Sequence, residues 1–273
     1  MTPVRFSIAV LAAVMLLTAH APAEHAAITA AEFQTRRAAL AKAIGPDAAF
    51  IAFSSEPARR TGDVDWPFRQ EDNLLYLTGI NEPDTTLVML PGEREQREAI
   101  FTRDRDPANE RWTGVIPSSE QVTAATGIRE VISPRRFTPF VDALLQGHAF
   151  GAPSQRSYFA PPAMPAFLAS MRAGRAEIWL VMHDRTRGTL TREQRFADDL
   201  RRQYPDVRFR DASPLLLAMR EVKSPAELSL VQRAIDITAE AQKAAMSRVL
   251  TASHEYEVQA TIEYTFRNLG GCC

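Results

Sequence analysis

The spacing of apolar positions changes several times along the chain. From about Ala31 to Ala43, Phe33, Leu40 and Ile44 recur among Arg36, Arg37 and Lys42 at helical spacing, and Gly45-Pro46-Asp47 ends the run. Ala48 to Phe53 is a short continuous apolar stretch between turn residues, as expected of a strand buried on both faces. Leu74 to Thr78 and Thr85 to Leu90 read as two further strands, and Pro91-Gly92 leads from the second to Ala99-Ile100-Phe101 as its hairpin partner. Helical patterns follow at Ser118 to Ala125 and Thr138 to Leu145. Next come an apolar strand at Ile178 to Met182, a charged helix at Arg192 to Tyr204 and a last strand at Val207 to Phe209. Strands and helices alternate without an internal repeat, which predicts an α/β layered domain.

Beyond Ser213-Pro214 the pattern becomes long and helical, with almost no turn residues. Ser224-Pro225-Ala226-Glu227 has the form of a helix start, with Ser at the N-cap, Pro at the first helical position and Glu placed to reach back. Leu228, Val231, Ile235, Thr238, Ala241, Ala245 and Val249 then follow at spacings of three and four, so one face needs an apolar partner. A second helix, Glu255 to Leu269, carries Val258, Ile262, Phe266 and Leu269 and stops at Gly270-Gly271. The change of character divides the chain near Leu216, into 24–216 and 217–273. The apolar faces of both terminal helices, including Ile235, Val249, Ile262 and Phe266, are expected to lack a covering sheet and stay partly exposed.

Residues 1–23 read as an export signal. Arg5 gives a short basic start, Phe6 to Leu17 carries no charge, and Ala21-Pro22-Ala23 places small residues where a signal peptidase inspects them. A 12-residue apolar run rises only about 18 Å as a helix, short of the roughly 30 Å hydrocarbon core, so a signal fits better than an anchor. The mature chain is expected to begin at Glu24 and to be soluble and exported, periplasmic or secreted, with no membrane association after cleavage.

The remaining composition narrows the chemistry. Of 273 residues, 45% are hydrophobic and 24% charged, enough for a sizeable core, and the formal net charge is -1 with both signs interleaved, which disfavours a nucleic-acid partner. The two cysteines, Cys272 and Cys273, are adjacent and terminal, so neither a disulfide scaffold nor a cysteine zinc cluster is available. There is no Gly-x-Gly-x-x-Gly, P-loop or Gly-x-Ser-x-Gly. His254-Glu255 fails as a zincin start because position 258 is Val258. His183-Asp184 after the apolar strand reads as a loop hydrogen-bond pair, and Arg103-Asp104-Arg105-Asp106 as an exposed, self-neutralising strand end. Trp112 sits in a polar segment, either as a packing anchor or as a ligand-facing platform.

Three segments carry a family resemblance. Phe68-Arg69-Gln70-Glu71-Asp72-Asn73-Leu74-Leu75-Tyr76-Leu77-Thr78-Gly79-Ile80-Asn81-Glu82-Pro83-Asp84 resembles the signature of the N-terminal domain of the Xaa-Pro aminopeptidases, or aminopeptidase P. Arg103-Asp104-Arg105-Asp106 through Glu110-Arg111-Trp112-Thr113-Gly114 is similar to the same domain, and Met219-Arg220-Glu221-Val222-Lys223-Ser224-Pro225-Ala226-Glu227-Leu228 resembles the stretch that opens the family's catalytic domain. The resemblance implies a creatinase/aminopeptidase P-like α/β domain with a mixed sheet and flanking helices, followed by the first two helices of an incomplete pita-bread metallopeptidase domain. It implies an enzyme that removes the residue preceding proline from peptides, with two divalent metals, usually manganese, activating a bridging water. It also implies a homo-oligomer, in which Trp112 matches a Trp that reaches toward a neighbouring subunit's active site. The family's metal ligands lie downstream of the two opening helices, so the resemblance assigns no catalytic residue and no metal ligand within 1–273, and Arg69 and Asn73 are expected to fix loop structure. On this reading the chain is the N-terminal portion of an exported Xaa-Pro aminopeptidase, inactive by itself. The alternative is a non-catalytic peptide-binding or subunit-assembly module of the same fold.

Overall fold

A computed structural model describes residues 28–95, 97–108, 110, 114–150, 163–182 and 190–271. The residues read as an export signal lie outside these. The chain forms two compact units, one spanning Ile28–Ser224 and the other including residues 225–271.

The first unit is built on a six-stranded mixed sheet in the order β6-β5-β4-β1-β7-β8. Its strands are β1 (Ala48–Phe53), β4 (Thr86–Leu90), β5 (Arg97–Phe101), β6 (Glu130–Ile132), β7 (Glu177–Leu180) and β8 (Arg208–Asp211). A separate exposed hairpin pairs β2 (Arg59–Thr61) with β3 (Val64–Asp65). Strand β1 runs antiparallel to β4 and parallel to β7, and all six of its residues are buried. The continuous apolar run in the sequence therefore marks a strand covered on both faces.

Side chains alternate along β1, so one sheet face takes Ala49, Ile51 and Phe53 and the other Ala48, Phe50 and Ala52. The first face packs against α4 (Phe137–Gln146), α5 (Pro165–Arg172) and α6 (Arg192–Gln203) through Phe140, Leu144, Phe167 and Ala197. The second packs against α1 (Ala30–Ile44), α2 (Asp72–Thr78), α3 (Ser119–Thr126) and α7 (Ser213–Glu221) through Leu40, Leu74, Leu77, Val122 and Leu216. The result is a three-layer α/β sandwich, as the alternation of elements predicted.

One element differs from its sequence reading. Leu74 to Thr78, expected as a strand, is the body of α2. The Glu71 carboxylate accepts from the Leu74 amide at 2.7 Å, and Gly79 closes the helix with φ 72°. Asn73, Leu74, Leu77 and Thr78 are buried while Leu75 is 39% exposed, a helical spacing hidden inside an unbroken apolar run. Gly79 is required sterically as well, because a Cβ there would lie 2.5 Å from the Phe33 ring.

Arg37 ties the second face together from inside. Its side chain is fully buried. Nε donates to Glu98 Oε2, Nη1 to Leu77 O and Nη2 to Thr126 O, each at 2.9 Å. A single cation thus satisfies carbonyls in the last turns of α2 and α3 while holding β5 through Glu98. Burial lowers the Arg37 guanidinium below its ordinary value and raises the Glu98 carboxyl above its own, with their mutual attraction opposing both shifts.

In the second unit α8 (Pro225–Val249) and α9 (Glu255–Asn268) form a helical hairpin. Arg233 donates to Leu269 O at 2.6 Å and Arg248 pairs with Glu257, which makes the helices antiparallel. Gly270, at φ 80°, stops α9: its amide donates to Arg267 O and that of Gly271 to Phe266 O, a Schellman closure. Ile237 and Ala241 are buried, whereas Leu228, Val231, Ile235 and Val249 stay exposed. Burial on α8 therefore keeps Ala241 of the stripe that the spacing marks, adds Ile237 from outside it and leaves the stripe's large apolar side chains exposed.

Candidate functional site

The three resembling segments are far apart in sequence and meet at one edge of the first unit. The organiser is Gln70, which is 2% exposed. Its Nε2 donates to Ile80 O at 3.2 Å and to Glu82 O at 2.9 Å, while its Oε1 accepts from the Ser55 amide at 3.1 Å and the Glu71 amide at 2.9 Å. Its own amide donates to Asn81 Oδ1 at 3.2 Å. All four hydrogen-bonding valences of the amide side chain are used, which makes its burial affordable in free-energy terms and fixes the loop after β1 to the loop after α2.

Three residues on, Asn73 is buried. Its Nδ2 donates to Glu71 Oε1 at 2.8 Å, and its Oδ1 accepts from Arg220 Nη1 at 2.8 Å. Arg220 also lies 3.6 Å from Asp72, whose carboxylate takes a 3.1 Å hydrogen bond from Arg69. One helical turn further, the Tyr76 hydroxyl donates to Met219 O at 3.1 Å. The first segment is thus joined to the third by side-chain bonds from both partners. An open polar cleft results, lined by Ser55, Arg69, Gln70, Asp72, Asn73 and Arg220.

The second segment joins through Arg103, which donates to Glu82 Oε2 at 2.6 Å. This corrects the picture of a self-neutralising Arg-Asp-Arg-Asp strand end. Arg103 reaches across to the first segment, Arg105 pairs with Glu110 at 2.6 Å, and Asp104 accepts from Ser133 at 2.6 Å. Partners in space displace the sequence neighbours because adjacent side chains in extended backbone point to opposite sides.

Of the residues singled out from sequence, Trp112, His183 and Asp184 lie outside the described residues. Asn73 is buried in the network, whereas Arg69 stands at its exposed rim with its side chain 84% accessible. Gln70 was the missed residue. The signal for it is a polar, uncharged side chain followed by a helix start and set between two turn-rich stretches, where loose backbone amides and carbonyls need a two-way partner. His254 stacks on Tyr256 at 5.2 Å between ring centroids, at the head of α9. Among the described residues no group of three or more His, Cys, Asp or Glu side chains is placed to hold a metal ion.

Comparison with known proteins adds the following. Residues 33–150 match the family described as aminopeptidase P, N-terminal domain. The chain is 30% identical to a Xaa-Pro aminopeptidase of Haemophilus influenzae over 86% of its own length and 47% of that protein's. It is 26% identical to the Xaa-Pro aminopeptidase of Escherichia coli K12 over 89% of its length and 50% of that protein's. In fold it resembles a putative aminopeptidase P from Bacillus anthracis, with a TM-score of 0.71, 22% identity and coverage of 89% of this chain and 52% of that one. It likewise resembles the aminopeptidase P from E. coli with the inhibitor Pro-Leu, with a TM-score of 0.68, 23% identity and coverage of 89% and 50%. The chain spans about half the length of the curated relatives it matches.

Proposed function

We propose that the chain supplies the non-catalytic, N-terminal part of an exported Xaa-Pro aminopeptidase that cleaves before proline with manganese, starting from the match of residues 33–150 to the aminopeptidase P N-terminal domain. The observation that carries this reading is the extent of the similarity to Xaa-Pro aminopeptidases, 86% and 89% of the chain. The role that fits the chemistry of this edge is structural: Gln70, Glu71 and Asn73 tie its loops and the start of α2 together within the first unit. Export rests on residues 1–23, and assembly into a homo-oligomer on the match of Trp112 to a Trp that acts across subunits in the family.

The test is direct. Purified 24–273, assayed with a Xaa-Pro peptide in manganese, is expected to release no N-terminal residue, whereas a polypeptide extended by the relatives' remaining half should do so. Turnover by 24–273 alone would overturn the division of labour.

A further inference from the structure

We propose that Arg220 is the releasable member of a latch that holds the last turn of α7 on α2, and that screening of its charge frees the joint at 222–224. The inference concerns the first unit alone and goes beyond the peptidase reading. Helix α7 is anchored at its middle by Leu216, which is fully buried, and Met219 is half-buried against the same core. Beyond Met219 no side chain as far as Lys223 is buried. What holds this end is polar. Met219 O accepts from Tyr76 at 3.1 Å, while Arg220 O and Glu221 O accept from Lys223 Nζ at 2.7 and 3.1 Å. Three consecutive carbonyls that a helix end leaves without amide partners are therefore served by side chains.

The remaining hold is Arg220 itself, hydrogen-bonded to Asn73 and ion-paired with Asp72. Its side chain is 35% exposed and that of Asp72 48%, so both are reached by solvent ions. Asp72 is also shared with Arg69, which takes Oδ1 at 3.1 Å and leaves Arg220 the longer 3.6 Å approach to Oδ2. Val222 follows at once, extended at φ -93° and ψ 116° and 82% exposed, and the first compact unit ends at Ser224. The contacts that close α7 are thus polar and within reach of solvent ions, and they sit where the chain leaves the unit.

Hydrogen exchange on the whole chain tests the latch. Arg220→Ala is expected to speed exchange of the 217–221 amides by about tenfold while β1 and β4 keep their protection, since a hydrogen bond to a charged group is lost without a core contact. Raising salt should speed the same amides in the unmodified chain and leave the Arg220→Ala chain unchanged, and Arg220→Lys should restore part of the protection. Tyr76→Phe, which keeps the ring, provides a second variant and should loosen the same amides. Unchanged exchange at 217–221 in both variants would overturn the proposal, as would a loss of protection equal to that in β1 or a salt response that persists without Arg220.

Discussion

At the scale of single residues, the first unit depends on a few polar side chains that saturate their partners. Asp47 accepts a hydrogen bond from Ser170 and another from Arg175 at 3.1 Å, and these hold its carboxyl below the usual carboxylate range. A group with a depressed folded pKa stabilises the fold above its unfolded value, and that stability is lost as pH falls through the folded value. Asp47→Asn should therefore flatten the acid limb of the stability profile below about pH 4, measured as chemical denaturation against pH, and leave the neutral limb little changed in slope. Glu98 has the opposite sign, since burial raises its carboxyl above the ordinary value while the attraction of Arg37 opposes the shift. Gln70 and Arg37 could be named from sequence only as residue types. Their roles depend on carbonyls such as Thr126 O, which is 89 positions from Arg37, and no local pattern encodes such a pairing.

Among the elements, most were legible because period and punctuation agreed. The run Ala48–Phe53 between turn residues is β1, and Ser224-Pro225 opens α8 at the predicted place. Helix α2 escaped because its seven residues carry too few turns for a 3.6-residue period to stand out from a continuous apolar run. What identifies it is its ends, Glu71 as N-cap and Gly79 in the left-handed region. Gly79→Ala combines a left-handed backbone penalty with a Cβ driven into Phe33, and thermal or denaturant unfolding should show a loss of about 2 to 4 kcal/mol. On α8 the apolar spacing correctly announced an amphipathic helix, yet its buried residues are Ala241 from that stripe and Ile237 from outside it, while Leu228, Val231, Ile235 and Val249 are exposed. A stripe states that an apolar partner is needed but not which neighbour supplies it. The candidate edge was legible in part for the same reason. Its three segments were recognisable one by one, while the bonds from Arg220 to Asn73 and from Arg103 to Glu82 belong to the tertiary structure alone.

For the molecule as a whole, the position of β1 sets the order in which the fold is completed during synthesis. One neighbour, β4, leaves the ribosome soon after β1, whereas the other, β7, begins only at Glu177. At 5–20 residues per second the central strand waits on the order of ten seconds with one edge and much of its apolar surface unmet. A nascent chain halted before residue 170 is thus expected to be digested readily by a protease. One that has released residues through Ser224 should show a resistant fragment corresponding to the first unit, and equal resistance at both lengths would contradict this. Because β1 joins partners from early and late in the chain, the sandwich is an all-or-nothing assembly on the ribosome, and for those seconds a chaperone that masks strand edges would find its natural client in residues 48–53.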